Sequence, residues 1–206
     1  MNPVVDRMYP ENVLNPFLLK NGYTRVYCET DWAQIVKEKY KNALQKTTAT
    51  IMDMRCPMSV HLSKECVKKD VQAIFPEIEP ILIHCAKEIS ERENLKGKEK
   101  IIITPCQSLA QMGNKLQLNE TIFYTWTSFL HKLKKPLYGK ALDNTPIPLG
   151  YFSEIAVEKW SLSGEESITK YLLSEEWKKK RLIEMLYCHE GCHNGDGIYD
   201  ESTQEI

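Results

Sequence analysis

Three of the seven cysteines follow short apolar runs, where a thiol can be presented at the end of a strand, and a fourth lies on the loop after the last of them. Cys56 stands in Met54-Arg55-Cys56-Pro57 and Cys106 in Thr104-Pro105-Cys106-Gln107. Cys188 opens Cys188-His189-Glu190-Gly191-Cys192-His193-Asn194-Gly195-Asp196-Gly197, which adds Cys192. Four thiolates on converging loops can hold a [4Fe–4S] cube. Gly191, Gly195 and Gly197 would let backbone approach inorganic sulfide and donate N–H groups to it, which tunes a cluster's potential. Cys188, His189, Cys192 and His193 also form a nitrogen-and-sulfur set suited to zinc, although zinc knuckles usually come as two paired motifs and this chain has one. His189, Glu190 and His193 are titratable neighbours of these thiols and candidates for a proton relay. Cys28, Cys66 and Cys85 lie within elements or on apolar stripes and read as core.

Strand-like and helical stretches alternate along the chain. Tyr23–Cys28 reads as a strand, Asp31–Leu44 as a helix, and Ala49–Met54 as the strand before Cys56. Val60–Val67 can be helical, and Phe75–Ile89 carries an apolar stripe behind Pro76 and Pro80. Lys100–Thr104 is a continuous apolar strand of the kind buried on both faces, ending at Pro105. Thr121–Tyr124 reads as a strand running into a helix through Leu133. Lys135–Gly150, rich in Pro and Gly, is the expected linker. Beyond it come a strand at Ile155–Trp160, a helix capped by Ser163, and a strand at Leu182–Tyr187 leading to Cys188. The tail after Tyr199 is polar and expected to fray.

This rhythm predicts an α/β fold with two lobes of mainly parallel sheet flanked by helices, the cluster lying between them. Residues 1–134 would form the first lobe, with Cys56 and Cys106, and residues 135–206 the second, with the glycine-rich loop. In such sheets ligands gather beyond the carboxyl ends of the strands.

The chain's 206 residues suffice for a sizeable core, and 27 basic against 28 acidic side chains give a net charge of −1. That balance argues against nucleic acid or an anionic membrane as the main partner. No apolar run is long enough for membrane insertion, and Met1–Pro16 lacks the layout of a signal peptide, so a cytoplasmic protein is expected. Cytoplasmic thiols stay reduced, which turns the cysteine surplus toward metal or redox chemistry.

The three cysteine motifs, in this order, resemble the catalytic domain of the iron-only ([FeFe]) hydrogenases, whose active site is the H-cluster. The resemblance rests on Cys56-Pro57, on Pro105-Cys106, and on Glu184-Met185-Leu186-Tyr187 followed by the loop from Cys188 to Gly197. Leu19–Glu29 resembles the strand before the family's first motif, and Trp160-Ser161-Leu162-Ser163-Gly164 the turn ahead of its last. It covers nearly the whole chain, with a short segment between the second and third motifs. By it, Cys56, Cys106, Cys188 and Cys192 would hold the [4Fe–4S] cube, and Cys192 would bridge to a two-iron subcluster with CO and CN ligands.

Three positions depart from the family pattern. Active members carry a proton-shuttling cysteine where this chain has Arg55, which cannot relay a proton at neutral pH. They carry a cyanide-binding lysine and an acidic residue where this chain has Leu109 and Met112. The chain holds no ferredoxin-type Cys-x-x-Cys-x-x-Cys run, so electrons are expected from an external donor or acceptor, such as a ferredoxin or a partner subunit. Trp32, Trp126, Trp160 and Trp177 could belong to a docking surface, although single aromatics in periodic elements are more often core. Three functions are compatible with these residues. The favoured one is a hydrogenase-like iron–sulfur protein acting as a redox sensor or electron-transfer partner, with weak or absent hydrogen chemistry. The second is a minimal hydrogenase with a full H-cluster, made with hydrogenase maturation proteins and using an unusual proton path. The third is a zinc-stabilised interaction module.

Overall fold

Parallel strands joined by helical crossovers make up the structure, as the alternation of apolar runs predicts. The computed structural model describes residues 1–147, 149–156, 158–200 and 203. In chain order the elements are α1 (Pro3–Met8), α2 (Glu11–Lys20), α3 (Trp32–Lys46), β1 (Thr50–Met52), α4 (Pro57–Val67), β2 (Ala73–Ile74) and α5 (Ile81–Glu91). There follow β3 (Lys100–Thr104), α6 (Gln107–Lys115), β4 (Thr121–Thr125), α7 (Trp126–Leu133), β5 (Lys159–Ser163), α8 (Glu165–Leu173) and β6 (Leu182–Leu186). Two compact units divide the chain. The first takes Met1–Thr30, Leu82–Ile147 and Cys192–Ile206, and the second takes Asp31–Ile81 and Pro148–Gly191. Each unit is thus assembled from separate segments, in place of the single cut at 134/135 that the Pro- and Gly-rich stretch suggests.

The second unit is built on a parallel sheet of order β2-β1-β6-β5. Met52 of β1 pairs with Ile183 of β6, and β5 pairs with β6 from Lys159↔Leu182 to Ser163↔Leu186. All five residues of β6 are buried, Glu184 among them. Side chains alternate across a strand, so Met52, Ile183 and Met185 join α4 and α8 in one apolar cluster through Val67, Ile168 and Leu172, with Trp177 beyond α8 in the same cluster. Ile51 and Leu182 join Val36 and Tyr40 of α3 and Phe152 in another.

The first unit rests on the pair β3–β4, in register from Lys100↔Thr121 to Thr104↔Thr125. Trp126 is fully buried and donates from Nε1 to the Tyr9 hydroxyl at 2.9 Å, which in turn donates to the Leu137 carbonyl at 2.7 Å. That chain of hydrogen bonds satisfies two polar tips within an apolar cluster. Gly113 of α6 lies flat against Phe123 of β4, with no room for a Cβ. Gly113→Ala therefore forces helix and strand apart and is expected to cost about 1–3 kcal/mol in chemical denaturation; a neutral effect would contradict this packing. At the start of β3, the buried Lys100 ammonium lies 2.9 Å from the Glu120 carboxylate. That hydrogen bond holds the Glu120 carboxyl below the ordinary glutamate range. The sign follows: its contribution to stability is present above the unfolded carboxyl value and is lost as pH falls through the lower folded one. Glu120→Gln should accordingly flatten the acid-unfolding profile below about pH 4.3.

Three sequence expectations differ from the structure. Tyr23–Cys28 is extended, but no ladder includes it. The expected strand at Ile155–Trp160 begins instead at Lys159, because Phe152 and Ala156 are buried from a turn; Val157 lies outside the described residues. Ser163 ends β5, and Gly164, at φ 88°, takes the position before α8. Of the tail after Tyr199, only Asp200 and Thr203 are among the described residues. Trp126 and Trp177 are core, whereas Trp160 is exposed on β5 and stacks on Tyr171. None of the helices among the described residues is long and apolar enough to cross a membrane.

Candidate functional site

In the second unit, β1 and β6 are adjacent and parallel, so both deliver their following loops to the same edge of the sheet. Cys56 follows β1 and occupies the extended position just before α4, with Pro57 opening the helix. Its side chain makes no capping hydrogen bond, and the N-terminal end of α4 sets partial positive charge beside it. Cys188 follows β6. The Gly191 N–H donates to the Cys188 carbonyl at 3.1 Å, closing a turn in which Glu190 and Gly191 both have positive φ, at 58° and 115°. Tyr187 lies near both thiols. Its hydroxyl donates to the Glu165 carboxylate, which raises the Tyr187 pKa, with smaller contributions from burial and from Cys188 and Cys56.

The first unit repeats the arrangement. Cys106 follows β3 and occupies the extended position before α6, again without a side-chain cap. The late loop is stitched to it by two hydrogen bonds: Gly197 N–H donates to the Pro105 carbonyl at 3.2 Å, and the Asp196 carboxylate accepts from the Gln107 N–H at 2.9 Å. A Cβ on Gly195 would collide with the Pro105 carbonyl and come within 3.1 Å of the Cys192 carbonyl. The backbones flanking Cys106 and Cys192 therefore share one tight spot that only glycine fits.

Arg55 and Leu109 both point away from solution chemistry. Arg55 is 7% exposed and forms a fork with Asp53, its Nη2 lying 2.8 Å from Asp53 Oδ2 and 2.7 Å from Glu184 Oε1. Its guanidinium also stacks over Tyr151 and Phe152, at 4.4 Å and 4.6 Å from the ring centroids. Burial disfavours the charge, but Asp53 and Glu184 outweigh it and raise the Arg55 pKa. Glu184 accepts further bonds from the Gly150 and Tyr151 N–H groups and from Ser161, and Asp53 from the Tyr40 hydroxyl. The alternation that places Ile51 and Leu182 on one sheet face places Asp53 and Glu184 there too. Leu109 is a core residue, packed with Ile83, Ile102 and Phe123, and Met112 lies against the same cluster.

The candidate relay residues separate. The His189 and Glu190 side chains are mostly exposed, 3.9 Å apart, whereas His193 is 2% exposed. His193 Nδ1 is buried without a hydrogen-bond partner among the described residues, an orphan of the kind a bound group would satisfy. Cys28, Cys66 and Cys85, read as core, are half-buried, as are the four motif cysteines. Among the described residues, no three or more His, Cys, Asp or Glu side chains are gathered into a metal site, whether for a cube or for zinc. Of the four motif thiols, Cys56 and Cys188 belong to the second unit and Cys106 and Cys192 to the first. The donor chemistry suits a thiolate-bound cluster, and the orphaned His193 nitrogen beside Cys192 is consistent with one.

Sequence reasoning did not find Asp53, nor the part Glu184 plays as the second partner of Arg55. An acidic residue in the middle of an otherwise apolar run, Leu182-Ile183-Glu184-Met185-Leu186, is the signal that could have found it, because a buried carboxylate needs a cation. Compared with known proteins, the chain matches no family model, no curated protein and no solved structure.

Proposed function

We propose that this chain binds a [4Fe–4S] cluster through Cys56, Cys106, Cys188 and Cys192 and acts as a redox sensor or electron-transfer partner without hydrogen chemistry. The observation that carries this reading is the repeated placement of a thiol before a helix, after a parallel strand, with a second thiol on a neighbouring loop. When bound, such a cube would supply one-electron chemistry. The chain's own part is to fix the loops: Pro57 and the α4 N-terminus at Cys56, the Gly191 turn at Cys188, and the Gly195–Pro105 packing at Cys106 and Cys192. Arg55 argues against the full H-cluster, since a guanidinium held by two buried carboxylates neither shuttles protons nor leaves room for a thiol to do so. Electrons would pass to and from a ferredoxin-like protein or a partner subunit.

The test is anaerobic reconstitution with iron and sulfide. The expected product is brown and carries about four iron and four sulfide per chain. Cys56→Ser, Cys106→Ser, Cys188→Ser and Cys192→Ser should each lose it, while Cys66→Ser should keep it. Protein made with the hydrogenase maturation machinery should be silent in the infrared window for carbonyl and cyanide. Bands there would restore the minimal-hydrogenase reading, and a colourless protein with one zinc per chain would replace the cluster altogether.

A further inference from the structure

Cys28 and Cys85 belong to neither thiol pair, yet they meet each other within the first unit. Cys28 ends the extended stretch 23–28, and Cys85 lies on α5. The Cys28 Sγ is 4.0 Å from the Cys85 carbonyl oxygen, and the two thiols are within hydrogen-bonding reach of each other. Both line a cleft of about 730 Å³, whose walls include Gly22–Cys28, Lys98–Ile103, and Leu82 and Ile89 of α5. Each thiol is half-buried, so a small solute can reach it through the cleft.

The stretch that carries Cys28 is tied down by side chains rather than by a sheet. Arg25 lies 2.7 Å from Asp6, and the Tyr27 carbonyl accepts from Arg92 at 2.7 Å. Segments held in this way shift more easily than strands in a ladder, and a disulfide needs the sulfurs to close to about 2.05 Å. We propose that Cys28 and Cys85 form a reversible disulfide that ties the 23–28 stretch to α5, with a low-molecular-weight disulfide such as glutathione disulfide as oxidant.

The exchange runs in two steps. The Cys28 thiolate attacks one sulfur of glutathione disulfide, forming a mixed disulfide and expelling one glutathione thiolate. The Cys85 thiolate then attacks Cys28 Sγ, forming the Cys28–Cys85 bond and expelling the second glutathione. Two electrons pass from the cysteines to the oxidant, and the two thiol protons end on two glutathione molecules.

Cys28 goes first because its proton is the easier to remove. Burial raises both thiols, and it raises Cys85 to about 12, with the Cys28 side chain adding to the shift. At Cys28 the hydrogen bond with Cys85 and the charge of Arg92 work against burial, while Glu88 adds to it. Glu88 and the Met1 amino group also face Cys85, with opposite effects. Because so little thiolate is present near neutrality, the reaction is slow there and quickens about tenfold per pH unit from 7 to 9.

The experiment incubates the full chain in glutathione disulfide buffers, quenches with acid, alkylates the remaining thiols and maps tryptic peptides by mass spectrometry. The expected product is Val26–Lys37 linked to Asp70–Lys87, reversed by excess reduced glutathione and formed faster at higher pH. In Cys85→Ser the reaction should stop at one glutathione on Cys28. In Cys28→Ser the cross-linked peptide should vanish. The proposal is overturned if wild-type Cys28 and Cys85 end as two separate glutathione adducts, stay available to the alkylating agent, or link to other cysteines instead. The readout is independent of cluster binding, since neither residue belongs to the proposed ligand set.

Discussion

Arg55→Cys, which places a thiol beside Cys56, is expected to destabilise the protein without conferring hydrogen chemistry. Removing the guanidinium leaves Asp53 and Glu184, both fully buried, without their cation. Breaking a buried ion pair by deleting one partner costs about 3–5 kcal/mol. For a chain of this length that corresponds to a fall of roughly 6–20 °C in Tm at 2–4 °C per kcal/mol. The triple substitution Asp53→Asn, Arg55→Met, Glu184→Gln removes all the charges together and should recover more than half of the loss. Calorimetry of the single and triple variants checks the stability claim, and gas-phase hydrogen detection after maturation checks the other. A single variant as stable as the parent would show that Arg55 does not hold these carboxylates; hydrogen evolution from it would return the hydrogenase reading.

On the cluster proposed above, Gly195→Ala is expected to cut the iron taken up in reconstitution while leaving the fold in place. The added methyl would meet the Pro105 carbonyl, which is backbone and cannot rotate aside. The Cys192 loop would have to withdraw from the Cys106 loop, breaking the Gly197–Pro105 hydrogen bond. We expect a global cost of about 1–3 kcal/mol together with a reconstituted iron content below half that of the parent. Gly22→Ala is the matched control: it also strains the backbone, at φ 83°, but it meets nothing within 4 Å and contributes to neither thiol pair. Equal iron in both variants would separate the glycine packing from cluster binding.

What could be read from the sequence follows how local each signal is. Lys100–Thr104 was legible because an unbroken apolar run stopped by Pro105 has few readings other than a strand buried on both faces, and it is β3. The positions of Cys56 and Cys106 after their strands were legible for a similar reason, since Pro57 and Pro105 punctuate the chain beside them, but the helix α6 that begins at Gln107 was not read. The part played by Arg55 was not. One of its partners is Glu184, 129 residues away, and nothing near Arg55 in the sequence announces that pairing. Tyr23–Cys28 has the composition of a strand, but strand propensity reflects packing against neighbours, and the structure supplies no ladder there. The division into units was hidden because Pro- and Gly-rich residues mark loops, whether or not a loop crosses from one unit to the other.

The order in which the segments are interleaved has a consequence for synthesis on the ribosome. Chains usually fold vectorially, each N-terminal domain closing while the next is still being translated. Here the second unit lacks the middle strand β6 until residue 186 has emerged, because β1 and β5 both pair with it. The first unit lacks the segment carrying Cys192 and Gly197 until still later, although its residues 1–30 are made long before that segment. The second unit must therefore wait unfinished, with Ile51 short of Phe152 and Leu182, until β6 is made. Growth temperature and holdase chaperones should therefore govern the yield of folded protein.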